Sequence, residues 1–307
     1  MVTINIAEYC SAESNCNVEI LACKIAQNKD EKIVLDLGLE GWDIVENGIE
    51  QKVKNICDEL NIPYTQIEFT SSDQLCKSQT FKHTINLEFV NVYKRFVGAA
   101  KIVPSTKFDY GLFCGRATNE RLYSFWKHLN WHYSNRGKAS MHVDVNTVNE
   151  SDCPFTSFIC EHNELWQNLV PLLPYSDIDE YWQPGDLSYT MAYNLDLWKH
   201  HYKDIAIEIV AETSQTPNNF YITEKTLRPI SHGKLFLVIG SPEFEQNLKR
   251  MGFDIFDDII DKSYDSLSSY MRVDAVFKSL GDLLHNPVDM NALLPRLQAN
   301  KRVLENL

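Results

Sequence analysis

Apolar residues recur along this chain in two rhythms. In short runs they are contiguous or alternate. In longer segments they return every three or four positions. The short runs predict strands at 3–9, 32–37, 64–69, 108–114, 138–143, 205–212 and 234–240. The longer rhythm predicts a helix over 49–60, where Ile49, Val53, Ile56 and Leu60 share one face and Asn61-Ile62-Pro63 supplies the stop. Segments 87–97 and 122–133 also show helical spacing. Thr223 reads as the cap of a helix that ends at His232-Gly233. Ser241-Pro242-Glu243 reads as the start of another that stops at Gly252. Segment 16–27 is too mixed to assign, and 255–260 reads as a final short strand or turn. Pro154, Pro171, Pro174, Pro184 and many aromatics make 155–196 irregular, with short helices.

Strands alternating with helices predict an α/β protein built on parallel sheets with helices on their faces. With 307 residues, 44% of them hydrophobic, two domains are expected. A break near Pro104-Ser105-Thr106 divides an N-terminal domain, 1–104, from a C-terminal domain, 105–307. No apolar run is long enough to span a bilayer, and Met1 to Ile6 reads as a strand and not as a secretory leader. The eight cysteines include no pair three apart, which removes the C-x-x-C redox and zinc signatures. Buried thiols in a reducing cytoplasm are the expectation.

The formal charge of −13 excludes a generic nucleic-acid binder. The distribution is uneven: 101–138 carries seven Lys/Arg and two acids, a local +5, while 139–200 carries one Lys and ten acids, a local −9. A basic segment in an acidic chain fits a focused anion site, and a solvated basic face fits it equally well.

Two strand-to-helix turns carry candidate chemistry. In Asn218-Asn219-Phe220-Tyr221-Ile222-Thr223-Glu224-Lys225-Thr226, a polar loop enters a helix whose first turn holds Thr223, Glu224 and Lys225. Helix N-termini present backbone N–H groups and partial positive charge, which suits phosphate. Lys225 adds a cation, and the Glu224 carboxylate suits a ribose diol. A capped surface helix with an ordinary Glu/Lys pair accounts for the same residues. In Gly115-Arg116-Ala117-Thr118-Asn119-Glu120-Arg121, the glycine admits a ligand to the backbone and Arg116 suits a phosphate; a glycine turn with surface arginines is the alternative. Together the turns suggest a pyrophosphate clamp. Dinucleotide G-x-G-x-x-G, P-loop and H-E-x-x-H signatures are missing. His128 and His132, four apart beside Trp126 and Trp131, read as amphipathic packing, and no metal site is expected.

Tyr221-Ile222-Thr223-Glu224-Lys225, seven further residues, Gly233 and the strand to Gly240 resemble the donor-site motif of α-1,3-fucosyltransferases. Arg228-Pro229-Ile230, Gly240-Ser241-Pro242 and Gly252-Phe253 through Tyr264-Asp265 resemble a broader set of phage and microbial sequences. The likeness covers 205–265, with 108–125 matching more loosely. It implies a GT-B glycosyltransferase of two Rossmann-like domains facing a cleft, the C-terminal one holding a nucleotide-sugar donor. Glu224 would contact ribose, Lys225 the diphosphate, and Arg116 is the match for an upstream phosphate-binding arginine. Asn119, Arg121, Asn219, Tyr221 and Thr223 complete the expected donor site. Inversion is implied and metal-independent departure expected, with no cofactor beyond the nucleoside diphosphate sugar itself.

A carboxylate of the N-terminal domain should deprotonate the acceptor: Glu8 after the first strand, or Asp36 or Glu40 around the end of the second. The acceptor is expected to be a glycan or other hydroxyl compound. Two alternatives stand: a phage-type transferase acting on hydroxymethylated DNA bases, and a nucleotide-sugar-binding module without turnover.

Overall fold

A computed structural model describes residues 1–6, 18–37, 48–73, 78, 80–85, 90, 107–115, 117–141, 156–177, 202–213, 217 and 219–307. The chain divides into two compact units. One comprises 1–89 with 216–222, the other 90–215 with 223–307. The expected boundary near 104 lies in a stretch outside the described residues.

The first unit holds a parallel sheet of β1 (Val2–Asn5), β2 (Ile33–Asp36), β3 (Ile67–Ser71) and β4 (Lys82–Ile85), in that order. Helices α1 (Val18–Gln27) and α2 (Ile49–Leu60) pack on one another, and Leu21, Ile25, Val53 and Ile56 join Leu35, Ile67 and Phe69 in one core. Helix α2 has the limits that the apolar spacing predicts. It ends because Asn61 adopts φ 54° and donates to the carbonyls of Asp58 and Cys57. Within the mixed segment 16–27, residues 18–27 form α1, which buries Leu21 and Ile25 and packs the partly buried Val18 and Ala22 against the same core.

The second unit is built on β5 (Phe108–Cys114), β6 (Gly137–Met141), β7 (Tyr175–Ser176), β8 (Ile205–Ala211) and β9 (Leu235–Ile239), in the spatial order β7-β6-β5-β8-β9. All pairings are parallel except β6 with the two-residue β7. Helix α3 (Asn119–Leu129) connects β5 to β6. The short helices α4 (Thr156–Glu161) and α5 (Asn163–Leu169) follow β6. Helix α6 (Glu224–His232) connects β8 to β9 and ends as expected at Gly233, whose φ of 61° lets its N–H turn back to the Ile230 and Pro229 carbonyls. The proline at 229 lies inside this helix.

Beyond β9 the expectations need correction. Ser241-Pro242-Glu243 is a turn, and α7 (Phe244–Arg250) starts after it. Its first turn is capped from a distance: the Asp265 carboxylate accepts from the N–H groups of Glu245 and Gln246 at 3.1 and 3.0 Å, and the Asp265 carbonyl accepts from that of Glu243. Segment 255–260 takes the second of its two expected forms, with a turn at 257–259. Two 17-residue helices not anticipated from the sequence, α8 (Ser269–His285) and α9 (Met290–Asn306), close the chain. Helix α8 packs on α3 and β9, and α9 on α6. Strand β9 ends the sheet order. Its Phe236 carbonyl accepts from the Lys262 ammonium at 3.1 Å, and its Val238 N–H donates to the Tyr264 hydroxyl. Those side chains occupy edge groups that would otherwise invite strand pairing. No helix among the described residues is long and apolar enough to cross a membrane.

Asp265→Ala should therefore destabilise the protein by about 2 kcal/mol, because it leaves buried N–H groups of α7 without acceptors. Urea denaturation reads this directly, and an unchanged midpoint would remove the carboxylate from the list of caps.

Candidate active site at the strand-order reversal

Strand β5 leads through α3 to β6 on one side, and β8 leads through α6 to β9 on the other. Strand order thus reverses between the neighbours β5 and β8. In open parallel sheets the crevice beyond the carboxyl ends of such a pair is where ligands bind. The described strands of the first unit run in simple sequential order, with no reversal.

The crevice is lined from both sides. Cys114 ends β5, and Gly115 follows with open space where a Cβ would stand. Thr118 caps α3, its hydroxyl accepting from the Arg121 N–H at 3.4 Å. Arg121, 2% exposed, reaches across to β8 and donates from Nε and Nη2 to the Ala211 carbonyl at 3.2 and 2.9 Å. The Asn119 amide oxygen accepts from the Phe158 N–H at 3.0 Å.

On the β8 side the organising group is Glu212, the residue after the strand, with no solvent exposure. Its carboxylate accepts from the Thr223 N–H and hydroxyl at 3.3 and 2.5 Å, from the Thr226 N–H and hydroxyl at 3.3 and 2.6 Å, and from the Thr213 N–H at 3.2 Å. Thr223 is the cap of α6 as expected, its hydroxyl accepting from the Lys225 N–H at 3.2 Å. The chain's own carboxylate therefore occupies part of the anion seat that the sequence suggests for a ligand. Glu224 and Lys225 sit above it as an ion pair, Oε1 to Nζ 2.7 Å, with side chains 15% and 14% exposed. Lys225 also donates to the Thr213 hydroxyl at 3.1 Å. Burial depresses the Lys225 ammonium; Glu224 opposes this and the Arg121 guanidinium adds to it. Burial raises the Glu224 carboxyl, but Lys225 and Arg228 together outweigh it and hold the group below its ordinary value.

Beneath the crevice, Glu208 of β8 lies 3.8 Å from the Arg228 guanidinium and accepts from the Tyr202 hydroxyl. Burial pushes its carboxyl up to about 7 against the pull of Arg228. Burial also pushes the Cys114 thiol up to about 11, while Arg121, Lys225 and Arg228 pull it down. Through Arg121, bonded to the Ala211 carbonyl, the start of α3 meets the carboxyl end of β8.

Of the predicted site residues, the structure gathers Arg121, Thr223, Glu224 and Lys225. Asn119 begins α3 with its amide oxygen turned to α4. Asn219 and Tyr221 are buried and group with the first unit, where the neighbouring Phe220 N–H donates to Asp73 at 3.0 Å. Asp36 is the last residue of β2. Arg116, Glu8 and Glu40 lie outside the described residues. Sequence reasoning missed Glu212, Glu208 and Arg228 as members of the site. The one local signal was a pair of threonines, Thr223 and Thr226, three apart on a helix start, which places two hydroxyls on one side.

Two further expectations change. The expectation of metal-independent departure draws no support from the sequence, which carries an Asp-x-Asp triplet at Asp177-Ile178-Asp179. Asp177 accepts from the Ala139 N–H at 3.1 Å and the Tyr175 hydroxyl at 2.7 Å; Asp179 lies outside the described residues. The basic stretch is not an uninterrupted face. Arg121 and Lys138 are buried, Lys127 pairs with Asp274, and Arg136 pairs with Asp109. His128 is a core residue, 2.8 Å from the Tyr110 hydroxyl and pushed down to about 4 by burial. No group of three or more His, Cys, Asp or Glu placed to hold a metal occurs among the described residues.

Compared with known proteins, the chain matches no family model, no curated protein and no solved structure.

Two outcomes follow from the site's electrostatics. Glu212→Ala should cost about 3 kcal/mol, since it strips an acceptor from several buried donors at once; a urea midpoint within error of wild type would contradict the carboxylate's organising role. Glu208 has a folded pKa near 7 against an ordinary value of 4.5, so folding favours its protonated form. That stabilisation is fully present below pH 4.5 and is lost as pH rises through about 7. Relative to Glu208→Gln, the wild type should therefore lose stability across that interval. Parallel pH profiles of the two proteins would refute this.

Proposed function

We propose that the protein is a glycosyltransferase that moves a sugar from a nucleoside diphosphate donor to an acceptor hydroxyl. The observation that carries this reading is the reversal of strand order at β5 and β8. It brings both strand-to-helix turns singled out in the sequence to the place where parallel sheets bind ligands. In this reading the two parallel-sheet units are the Rossmann-like domains of a GT-B-type enzyme. The diphosphate sits above Lys225, within the field of Arg121 and Arg228, and Glu224 takes the ribose diol. Those cations stabilise the charge that grows on the leaving diphosphate. Arg121, held on the Ala211 carbonyl, contributes through its charge and holds α3 against β8. Inversion at the anomeric carbon belongs to the same proposal. So does a carboxylate of the first unit as base, with Asp36 the described candidate at a strand's carboxyl end.

The acceptor in this proposal is a glycan or another hydroxyl compound. A DNA acceptor calls for a continuous track of cations along the backbone. Four described cations of the basic stretch, Arg121, Lys127, Arg136 and Lys138, go into the core or into ion pairs and give that alternative no support. A binding module without turnover is separated by slow donor hydrolysis, which an enzyme catalyses without acceptor and a module does not.

A thermal-shift screen against UDP-, GDP-, CMP- and dTDP-sugars should raise the melting temperature for at least one donor. Lys225→Ala should then weaken binding of the corresponding nucleoside diphosphate by about 1–3 kcal/mol, the range for a charge-assisted hydrogen bond. No shift across the panel, or full affinity in the alanine variant, would sink the reading.

A further inference from the structure

We infer that Glu120, on α3, takes the proton from the attacking oxygen, an inference that rests on the transferase reading and moves the base from the first unit into the second. The other described carboxylates near this edge of the sheet are occupied. Glu212 is fully buried and accepts from Thr213, Thr223 and Thr226. Glu224 is held by Lys225 at 2.7 Å. Glu208 lies buried between the Tyr202 hydroxyl and Arg228. Glu245 is fully buried and held by Lys262 at 2.8 Å, and Asp265 caps α7. Glu120 differs on both counts. It is half-buried, and its carboxylate has no hydrogen-bond or ion-pair partner among the described residues beyond its own N–H.

Its surroundings follow from the packing of α3. Leu122, Phe125 and His128 turn into the core. Glu120 shares the opposite side with Tyr123 and Lys127, which bond to Asp274 of α8. The first turn of α8 brings Tyr270 and Arg272 close enough to interact with Glu120 electrostatically, and Glu161 of α4 acts on Tyr270 in the same way. Arg272 is fully buried. Its Nη2 donates to the carbonyls of Asp265 and Leu267, while Nε and Nη1 have no partner among the described residues. A sheltered guanidinium with spare donors steadies negative charge beside it. Burial raises the Glu120 carboxyl above its ordinary value, against its own N–H, Arg121 and Arg272, and a raised carboxyl suits a base that works near neutral pH. In the step itself the acceptor oxygen bonds to the anomeric carbon as its proton passes to Glu120. The bond from that carbon to the diphosphate oxygen breaks, and its electron pair leaves with the diphosphate.

Water serves as the acceptor in the test. Release of nucleoside diphosphate from UDP-, GDP- and dTDP-sugars is measured for the wild type, Glu120→Gln and Glu120→Ala, with melting curves confirming that each variant folds. For the donor that the wild type hydrolyses, Glu120→Gln should lower turnover about a hundredfold or more. The rise in melting temperature produced by the nucleoside diphosphate should stay as in the wild type. Added formate should return part of the rate to Glu120→Ala, because it supplies the missing carboxylate. The wild-type rate should fall with pH through an ionisation above 4.5, since only the ionised carboxyl accepts a proton. A wild-type rate indifferent to acid overturns the inference without recourse to any variant. So does a folded Glu120→Gln at the wild-type rate, or a folded Glu120→Ala that formate does not revive, and in those cases the transferase reading survives. Wild type that releases nucleoside diphosphate from none of the donors removes both.

Discussion

A buried carboxylate at the end of a strand, bonded to the first turn of the helix that follows, organises the second unit of this protein. Glu212 has no solvent exposure, and a charge in that position is costly unless it is well supplied with donors. Three backbone N–H groups and two threonine hydroxyls supply it. The partial positive charge of the helix end adds to them. The same bonds pin the start of α6 to the end of β8, so Glu224 and Lys225 take their places because Glu212 holds the turn beneath them.

The device recurs. Asp265 does for α7 what Glu212 does for α6: it brings a carboxylate from elsewhere in the chain to backbone donors that a local cap would ordinarily satisfy. Arg121 mirrors this with opposite charge, giving its guanidinium to the carbonyl that ends β8. Around the β5/β8 crevice, strand ends and helix starts are thus tied by charged side chains as well as by the ladder. The described charged groups of the crevice are largely paired within it.

Much of the α/β pattern was legible. The limits of α2 follow from its apolar spacing and from Asn61, a residue that tolerates the left-handed conformation. Thr223 and Gly233 bracket α6 for equally local reasons. Strands β5, β8 and β9 are short apolar runs, and nearly all their residues are buried. Less could be read where a local signal competed with a distant partner. Ser241-Pro242 looks like a helix start, yet Asp265 supplies the cap and the helix begins at Phe244. The basic run at 101–138 looks like a face, yet among its described cations Arg136 and Lys127 pair with Asp109 and Asp274, and Arg121 and Lys138 enter the core.

The sequence by itself determined the α/β class, several element limits and the two turns that carry cations, because periodicity and helix capping act over a few neighbouring residues. Only the tertiary structure decided that β8 lies beside β5, which puts those turns together at a reversal of strand order. It alone decided that Glu212 answers Thr223 and Thr226, and that Arg121 answers Ala211, 90 positions away. The physical reason is that a charged group cannot be buried without donors or acceptors to match it. Which groups match it depends on how the chain returns to itself, and local spacing carries no record of that return.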